Sequence, residues 1–149
     1  NADNTSGSPQ EGPRSRTENR MRATAANFSS PTGQICMPKI STHILDTARG
    51  CPAAGVEVTL SQWDANRWRS LSTAVTDENG RISDWQPGTI HAEKGLYRLQ
   101  FATDQYFSRI NIETLYPWVD VVFRIEDTNE KFHVPLLLSG HGYTTYRGT

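Results

Sequence analysis

Apolar and polar residues alternate over several short stretches of this chain, and this alternation restricts the possible folds more than any other feature. In "VEVTLSQW" the apolar residues Val56, Val58 and Leu60 are separated by polar ones. A two-residue period places successive side chains on opposite faces of a β-strand, so this stretch is predicted to be a half-buried strand. The same period recurs in "GLYRLQFAT" and "WVDVVFRIED".

Turn-forming residues separate these stretches. The segment "ARGCPAAG" contains two glycines and a proline, and "DENGR" contains the Asn79-Gly80 step that favours a tight turn. Several short strands joined by turns predict an all-β fold, an antiparallel β-sandwich. Only "TDQYFSRINIE" is predicted to be helical, with Thr103 or Asp104 as its N-cap.

The stretch "KFHVPLLLS" is predicted to be a strand with two apolar faces. Phe132 and Val134 begin the face that is expected to enter the core. His133 and Leu137 share the opposite face with Pro135, and this face is expected to be buried against another subunit. Because proline cannot donate to a strand ladder, Pro135 indicates a sheet edge or a bulge.

The chain divides by composition into two parts. Residues 1–38 are rich in Ser, Thr, Asn, Gly, Pro and Arg and show neither a helical nor a strand period. Such a segment buries too little apolar surface to offset its ordering entropy, which predicts a disordered extension or linker. Residues 39–149 are predicted to form one domain.

The totals exclude several classes of partner. A net charge of -1 leaves no basic excess for phosphate neutralisation, so no nucleic-acid partner is expected. No apolar run approaches the roughly 20 residues that span a bilayer, so no membrane partner is expected either. Cys36 and Cys51 are interpreted as free thiols, although the sequence leaves a bridge between them open.

The four histidines do not form a metal-binding motif. His43, His91, His133 and His141 make no HExxH pair and have no cysteine at ligand spacing. No metal site is therefore predicted. His43 and His133 lie within strand patterns, where a histidine is either a structural hydrogen-bonding residue or, in a pair, a general base and acid.

Two arginines offer anion recognition. Arg81 follows the "DENG" turn and Arg147 lies near the carboxyl terminus. Each is either a solvated surface residue or a planar clamp for anionic or carbonyl oxygens. Since the chain has no G-x-S-x-G elbow and no phosphate-binding glycine loop, a hydrolase on this scaffold would activate water rather than a covalent nucleophile.

Five segments together resemble a known family. The segments "STHILD", "DENGR", "YPWVDVVF", "HVPLLLS" and the terminal "YRGT" occur in the order and spacing of the 5-hydroxyisourate hydrolases, the transthyretin-related enzymes of urate breakdown. The resemblance covers about residues 39–149. It implies a transthyretin-like sandwich of about eight strands with one short helix. It also implies a homotetramer, a dimer of dimers, with active sites in clefts where dimers meet.

The same resemblance implies the site residues. The catalytic residues map to His43, Arg81 and His133, without implying which histidine is the base. The substrate-binding tetrapeptide maps to Tyr146, Arg147, Gly148 and Thr149. Thr149 stands where the family usually has serine, which keeps the hydroxyl and adds a methyl group. No cofactor and no metal are implied.

The implied reaction is hydrolysis of a ring amide in 5-hydroxyisourate, giving 2-oxo-4-hydroxy-4-carboxy-5-ureidoimidazoline. Transthyretin is similar in fold but lacks these histidines and the terminal tetrapeptide. The alternatives are a transthyretin-like carrier of a small ligand and a non-catalytic interaction module. The resemblance leaves the compartment open, with peroxisome or cytoplasm favoured and the periplasm as a further option.

Overall fold

The computed structural model describes residues 39–85 and 93–149, which contain ten strands and one helix. The elements are β1 (Ile40–Asp46), β2 (Cys51–Pro52), β3 (Glu57–Asp64), β4 (Arg67–Val75), β5 (Arg81–Ile82), β6 (Gly95–Phe101), α1 (Thr103–Arg109), β7 (Val119–Ile125), β8 (Phe132–His133), β9 (Leu136–Ser139) and β10 (Gly142–Thr145). The predicted all-β sandwich with one short helix is confirmed.

The strands form two sheets. The four-stranded sheet has the order β4-β3-β6-β7 and is antiparallel throughout. The six-stranded sheet is organised around β1, which pairs with β2 and β5 along one edge and with β8 and β9 along the other. The β8 and β9 pairings are parallel, so the sheet is mixed where the sequence predicted antiparallel strands only.

The core lies between the sheets and follows the predicted alternation. Val58 and Leu60 of β3, Leu99 of β6 and Val119 and Val121 of β7 are all buried. The polar residues Glu57 of β3 and Asp120 of β7, which alternate with them, are exposed. Burial of these apolar side chains is the main free-energy gain that holds the two sheets together.

Pro135 divides the predicted strand "KFHVPLLLS" into β8 and β9. The backbone on either side stays attached to its neighbours: Val134 N donates to Ser41 O at 2.9 Å, and Thr42 Oγ1 donates to Val134 O at 2.7 Å. Thr145 Oγ1 donates to Pro135 O at 2.8 Å. The missing proline N–H therefore interrupts the ladder without leaving this carbonyl unpaired.

The helix begins without the predicted side-chain cap. Its N-cap is Ala102, which makes no side-chain hydrogen bond. Thr103 is already helical, and its hydroxyl donates to Tyr116 O at 2.6 Å, so the capping prediction was wrong. The helix is attached to the end of β1 instead, because the Tyr106 hydroxyl donates to Asp46 Oδ2 at 2.9 Å.

Several sequence predictions lie outside the described residues. These are the extension at residues 1–38, Cys36 and His91. Cys51 is a half-buried free thiol. No helix in the two described segments is long and apolar enough to cross a membrane.

The turn before β5 is built by Asp77 and Gly80. The Asp77 carboxylate accepts hydrogen bonds from the backbone of Asn79 and Arg81, at 2.9 and 2.8 Å. Gly80 has φ of +72°, and a Cβ atom there would lie far inside contact distance of the Ile44 carbonyl on β1. The turn can therefore approach β1 only with glycine at this position.

Replacing Gly80 by alanine is expected to lower the free energy of unfolding by about 2 to 4 kcal/mol, because it combines left-handed backbone strain with a steric clash. Denaturant titrations at one matched protein concentration measure the change. Gly50→Ala is the control, since Gly50 has φ of +66° with nothing within 4 Å of the added Cβ. A Gly80 variant no less stable than the Gly50 variant would show that the close approach to β1 is unimportant.

Candidate active site

Strand register places the predicted catalytic residues Arg81, His43 and His133, called the row, on three adjacent strands, with His133 offset from His43 by two residues along β1. β5 runs antiparallel to β1 and pairs Arg81 with His43. β8 runs parallel to β1 on its other side and pairs Ser41 with His133. Paired residues on one face of a sheet have Cβ atoms about 5 Å apart. The structure therefore brings Arg81, His43 and His133 together from positions far apart in sequence.

All three side chains lie on the outer face of the six-stranded sheet. Ser41 and His43 are half-buried, whereas the alternate residues Thr42 and Ile44 of β1 are buried in the sandwich. The same alternation exposes Arg81 while its neighbour in β5 is buried. The row is therefore accessible to a molecule that approaches this outer face.

His133 has a specific partner in Ser41. The Ser41 hydroxyl oxygen lies 2.9 Å from Nδ1 of the His133 ring, and either atom can be the donor, depending on the tautomer. This bond occupies Nδ1. Nε2 is then the ring nitrogen that is left to meet a ligand or a water molecule.

The carboxyl-terminal tail lies against His133. Gly148 N donates to His133 O at 2.8 Å, and the two residues form an antiparallel bridge. A Cβ atom at Gly148 would overlap the imidazole ring of His133. Glycine is required here because the tail backbone packs directly on that ring.

The other tail residues are exposed, and two of them border a cleft together with His133. Tyr146, Arg147 and Thr149 are exposed. Arg147 Nη2 donates to Glu130 Oε2 at 2.6 Å, and its guanidinium lies 5.5 Å from the ring centre of Phe132. Tyr146 and Arg147 line a cleft of about 180 Å³ at the edge of the sandwich, which His133 also borders. Their predicted part in substrate binding stays a prediction.

The pKa of His43 lies below its ordinary value of 6.5. Partial burial is the largest cause, because it disfavours the charged imidazolium, and the positive charge of Arg81 adds to it. The backbone of Asn79 and the Asp77 carboxylate oppose this shift. His43 is consequently neutral at physiological pH.

The pKa of His133 is lowered in the same direction and for related reasons. Partial burial comes first, followed by the charge of Arg81 and then by His43. A neutral imidazole carries a lone pair and can accept a proton, whereas imidazolium cannot. The site therefore presents two neutral imidazoles beside one permanent cation.

Two contacts of this region were not predicted from the sequence. Ser41 shares the outer face of β1 with His43, but its pairing with His133 depends on the parallel register of β8. Glu130 holds Arg147 from the loop before β8. Only the position of Ser41 two residues before His43 was a usable signal.

No metal-binding cluster accompanies the site. Within residues 39–85 and 93–149, no group of three His, Cys, Asp or Glu side chains has a geometry that could hold a metal ion.

Comparison of the sequence with known proteins identifies one family. The model of the HIUase/Transthyretin family matches residues 40–148. The 5-hydroxyisourate hydrolase of Salmonella dublin is 49% identical over 110 residues, which cover 74% of this chain and 80% of that protein. A probable 5-hydroxyisourate hydrolase of Caenorhabditis elegans is 41% identical over 126 residues, covering 85% of this chain and 93% of that protein.

Comparison of the fold with solved structures gives two kinds of relative. The 5-hydroxyisourate hydrolase of Klebsiella pneumoniae has a TM-score of 0.65 and 35% identity, with 74% of this chain and 99% of that chain covered. Sea bream transthyretin in complex with thyroxine has a TM-score of 0.67 and 29% identity, with 74% and 95% covered. The chain belongs to the HIUase/transthyretin family.

Proposed function

We propose that this protein is an enzyme that hydrolyses 5-hydroxyisourate to 2-oxo-4-hydroxy-4-carboxy-5-ureidoimidazoline, a step of urate breakdown. The observation that carries the proposal is the row of His43, Arg81 and His133 on one accessible sheet face. Relatives named 5-hydroxyisourate hydrolase, 37% to 49% identical to this chain, support the choice of substrate.

The fold alone does not separate an enzyme from a carrier, because the hydrolase and transthyretin structures are equally similar to it. The side chains of the row favour an enzyme over a carrier. Two half-buried neutral imidazoles beside a guanidinium form an arrangement for moving protons and stabilising negative charge. A pocket for a purely apolar ligand would not need them.

In the proposed reaction, one neutral imidazole accepts a proton from a water molecule. The water oxygen forms a bond to the carbonyl carbon of the ring amide, and the carbonyl oxygen becomes an oxyanion. When that intermediate collapses, the ring C–N bond breaks and the imidazolium returns its proton to the leaving nitrogen. Atoms and charge balance in this general acid–base mechanism without any cofactor.

Arg81 supplies the positive charge in this scheme. Its guanidinium offers a planar set of donors to the carbonyl oxygens of the substrate. Interaction with the oxyanion is stronger than with the neutral carbonyl, so Arg81 stabilises the transition state more than the ground state. The same charge adds to the effect of burial in lowering the pKa of both imidazoles.

The active unit is proposed to be a homotetramer, a dimer of dimers, in which a second subunit covers the row. Two observations support this. The outer face bears half-buried apolar residues such as Leu45 and Leu137. Among the described strands, β7 and β10 each pair along one edge only, and Val122 and Tyr143 on them are 53% and 42% exposed. Unpaired edges with exposed apolar groups favour association.

Replacing His43, Arg81 or His133 singly with alanine is expected to lower kcat by roughly 10²- to 10⁴-fold, because each change removes a proton-transfer group or the oxyanion partner. The ultraviolet decay of freshly prepared 5-hydroxyisourate, with and without protein, measures the rate. Analytical ultracentrifugation of the same samples is expected to give four times the chain mass of 16.7 kDa for the wild type and every variant.

The control variant is Ser139→Ala, which removes a hydroxyl from the same sheet that donates to Gly142 O rather than to a histidine. It is expected to keep the wild-type rate. Wild-type protein that leaves the spontaneous decay unchanged, particularly if it binds thyroxine, would replace the enzyme with a carrier. A wild-type mass of one or two chains would contradict the tetramer.

Replacing Arg81 by glutamine is expected to raise the pKa of both His43 and His133. The arginine charge disfavours the imidazolium form of each ring, so its removal makes protonation easier and moves it to higher pH. NMR titration of the ring protons, assigned with His43→Gln and His133→Gln, measures these values. The acid limb of any remaining activity is expected to move to higher pH as well.

The Arg147→Gln variant is the control for the Arg81→Gln titration. It also removes one guanidinium from this region, but that group is paired with Glu130 and contributes to neither histidine shift. The two titrations are expected to stay at their wild-type positions. Equal shifts in the Arg81 and Arg147 variants would mean that net charge, and not the position of Arg81, sets the protonation of the site.

A further inference from the structure

The contact between Ser41 and His133 is the strongest feature that the proposed reaction does not yet use. Its two atoms are 2.9 Å apart, and the contact joins residues 92 positions apart in sequence. The backbone holds the pair in register, because Ser41 and His133 are direct partners in the parallel β1–β8 ladder. Val134 N, the next donor along the chain, binds the Ser41 carbonyl at 2.9 Å. The hydroxyl is thus fixed beside one ring nitrogen.

A neutral imidazole has two tautomers, and this contact distinguishes them chemically. If Nδ1 carries the proton, it donates to the Ser41 oxygen and Nε2 holds the lone pair. If Nε2 carries the proton, the hydroxyl donates to a bare Nδ1 and the outer nitrogen is unable to accept a proton. The partner of one ring nitrogen therefore decides whether the other is a base.

The protonated state favours the first arrangement. Once Nε2 has taken a proton from water, both ring nitrogens are donors, and Ser41 must act as an acceptor. A site in which Nδ1 already donates to Ser41 before the reaction needs no reorganisation during proton transfer. Preorganisation of this kind lowers the barrier relative to a ring that must first change its tautomer.

We propose that Ser41 is a positioning residue which holds His133 in the tautomer protonated on Nδ1, so that His133 Nε2 is the general base toward the substrate water. This inference rests on the proposed hydrolase function and assigns the base that the sequence left open. Ser41 does not touch the reacting atoms. It acts through the ring of His133.

A serine suits this position because it accepts a hydrogen bond without adding a negative charge. A carboxylate partner would stabilise the imidazolium and favour protonation of the resting site. The charged and titratable groups around His133 from the neighbouring elements are Arg81 on β5, His43 on β1, Arg124 on β7, and Tyr146 and Arg147 in the tail. A neutral acceptor leaves the cation of Arg81 without a competing anion among these groups.

The direct test is nitrogen-15 NMR of the full-length protein without substrate, at a pH where both imidazoles are neutral. The chemical shifts of the two ring nitrogens report which one carries the proton, and the signals of His133 are assigned by their loss in His133→Gln. Wild-type protein is expected to show protonated Nδ1 and bare Nε2 at His133. The opposite tautomer in the wild type would overturn the proposal.

Two variants separate positioning from simple packing. Ser41→Ala removes the acceptor and is expected to shift the ring toward the Nε2-protonated form that free histidine prefers. Ser41→Thr keeps the hydroxyl in a residue that suits a strand, and it is expected to retain the wild-type tautomer. An Ala variant with unchanged ring-nitrogen shifts would show that Ser41 does not select the tautomer.

Kinetics then connect the tautomer to catalysis. Ser41→Ala is expected to lower kcat by about tenfold with little change in KM, since the loss is that of one hydrogen bond in the transition state. Ser41→Thr is expected to recover most of the rate, and Ser139→Ala is expected to match the wild type. A shifted tautomer at full kcat would mean that His133 is not the base.

The two proposals fail in different ways. If the wild-type protein does not hydrolyse 5-hydroxyisourate, the proposed function is wrong, whereas the tautomer measurement needs no substrate and keeps its meaning. If hydrolysis is present and the wild-type ring carries its proton on Nε2, the function stands and the assignment of Ser41 and His133 is wrong.

Discussion

The backbone pairing of β1 with a strand on each side is the interaction on which the rest of the site depends. β5 sets Arg81 opposite His43, and β8 sets His133 opposite Ser41. Because side chains alternate with a period of two, a slip of one residue in either ladder would turn a side chain of the candidate site into the core. The sandwich core prevents that slip, since β1 buries Ile40 and Ile44 on its opposite face. Hydrophobic burial on the inner face of β1 thereby fixes the register of the polar residues on its outer face.

The electrostatics of the row favour neutral imidazoles beside a positive charge. Burial and the charge of Arg81 both lower the pKa of the two histidines, so bases and a cation coexist at neutral pH. The hydrogen-bond partner of the His133 ring is the neutral hydroxyl of Ser41. The tail completes one side, where Gly148 lies on the His133 ring. Such a site can stabilise the negative charge that develops on the oxygen of a ring amide during hydrolysis.

The parts of this picture that depend on local pattern were predictable. The strand positions of His43 and His133 followed from the sequence pattern, and the Asn79-Gly80 step identified the turn that carries Arg81. The parts that depend on distant pairing were not: the parallel alignment of β8 with β1 joins Ser41 to His133 across 92 positions. Pro135 was expected to disturb its strand, but only the structure shows a complete division into β8 and β9. The N-cap prediction failed because Thr103 uses its hydroxyl for Tyr116.

We propose that the substrate binds between Arg81 and the two imidazoles, on a sheet face that a second subunit covers. A crystal structure of the assembled protein with bound urate, a planar ring system with similar carbonyl groups, tests it most directly. The purine is expected in a cleft between subunits, with the Arg81 guanidinium on a carbonyl oxygen and His133 Nε2 facing the space above a ring carbonyl carbon. Urate bound away from this row, or a row open to solvent in the assembled protein, would show that the row is not the substrate site.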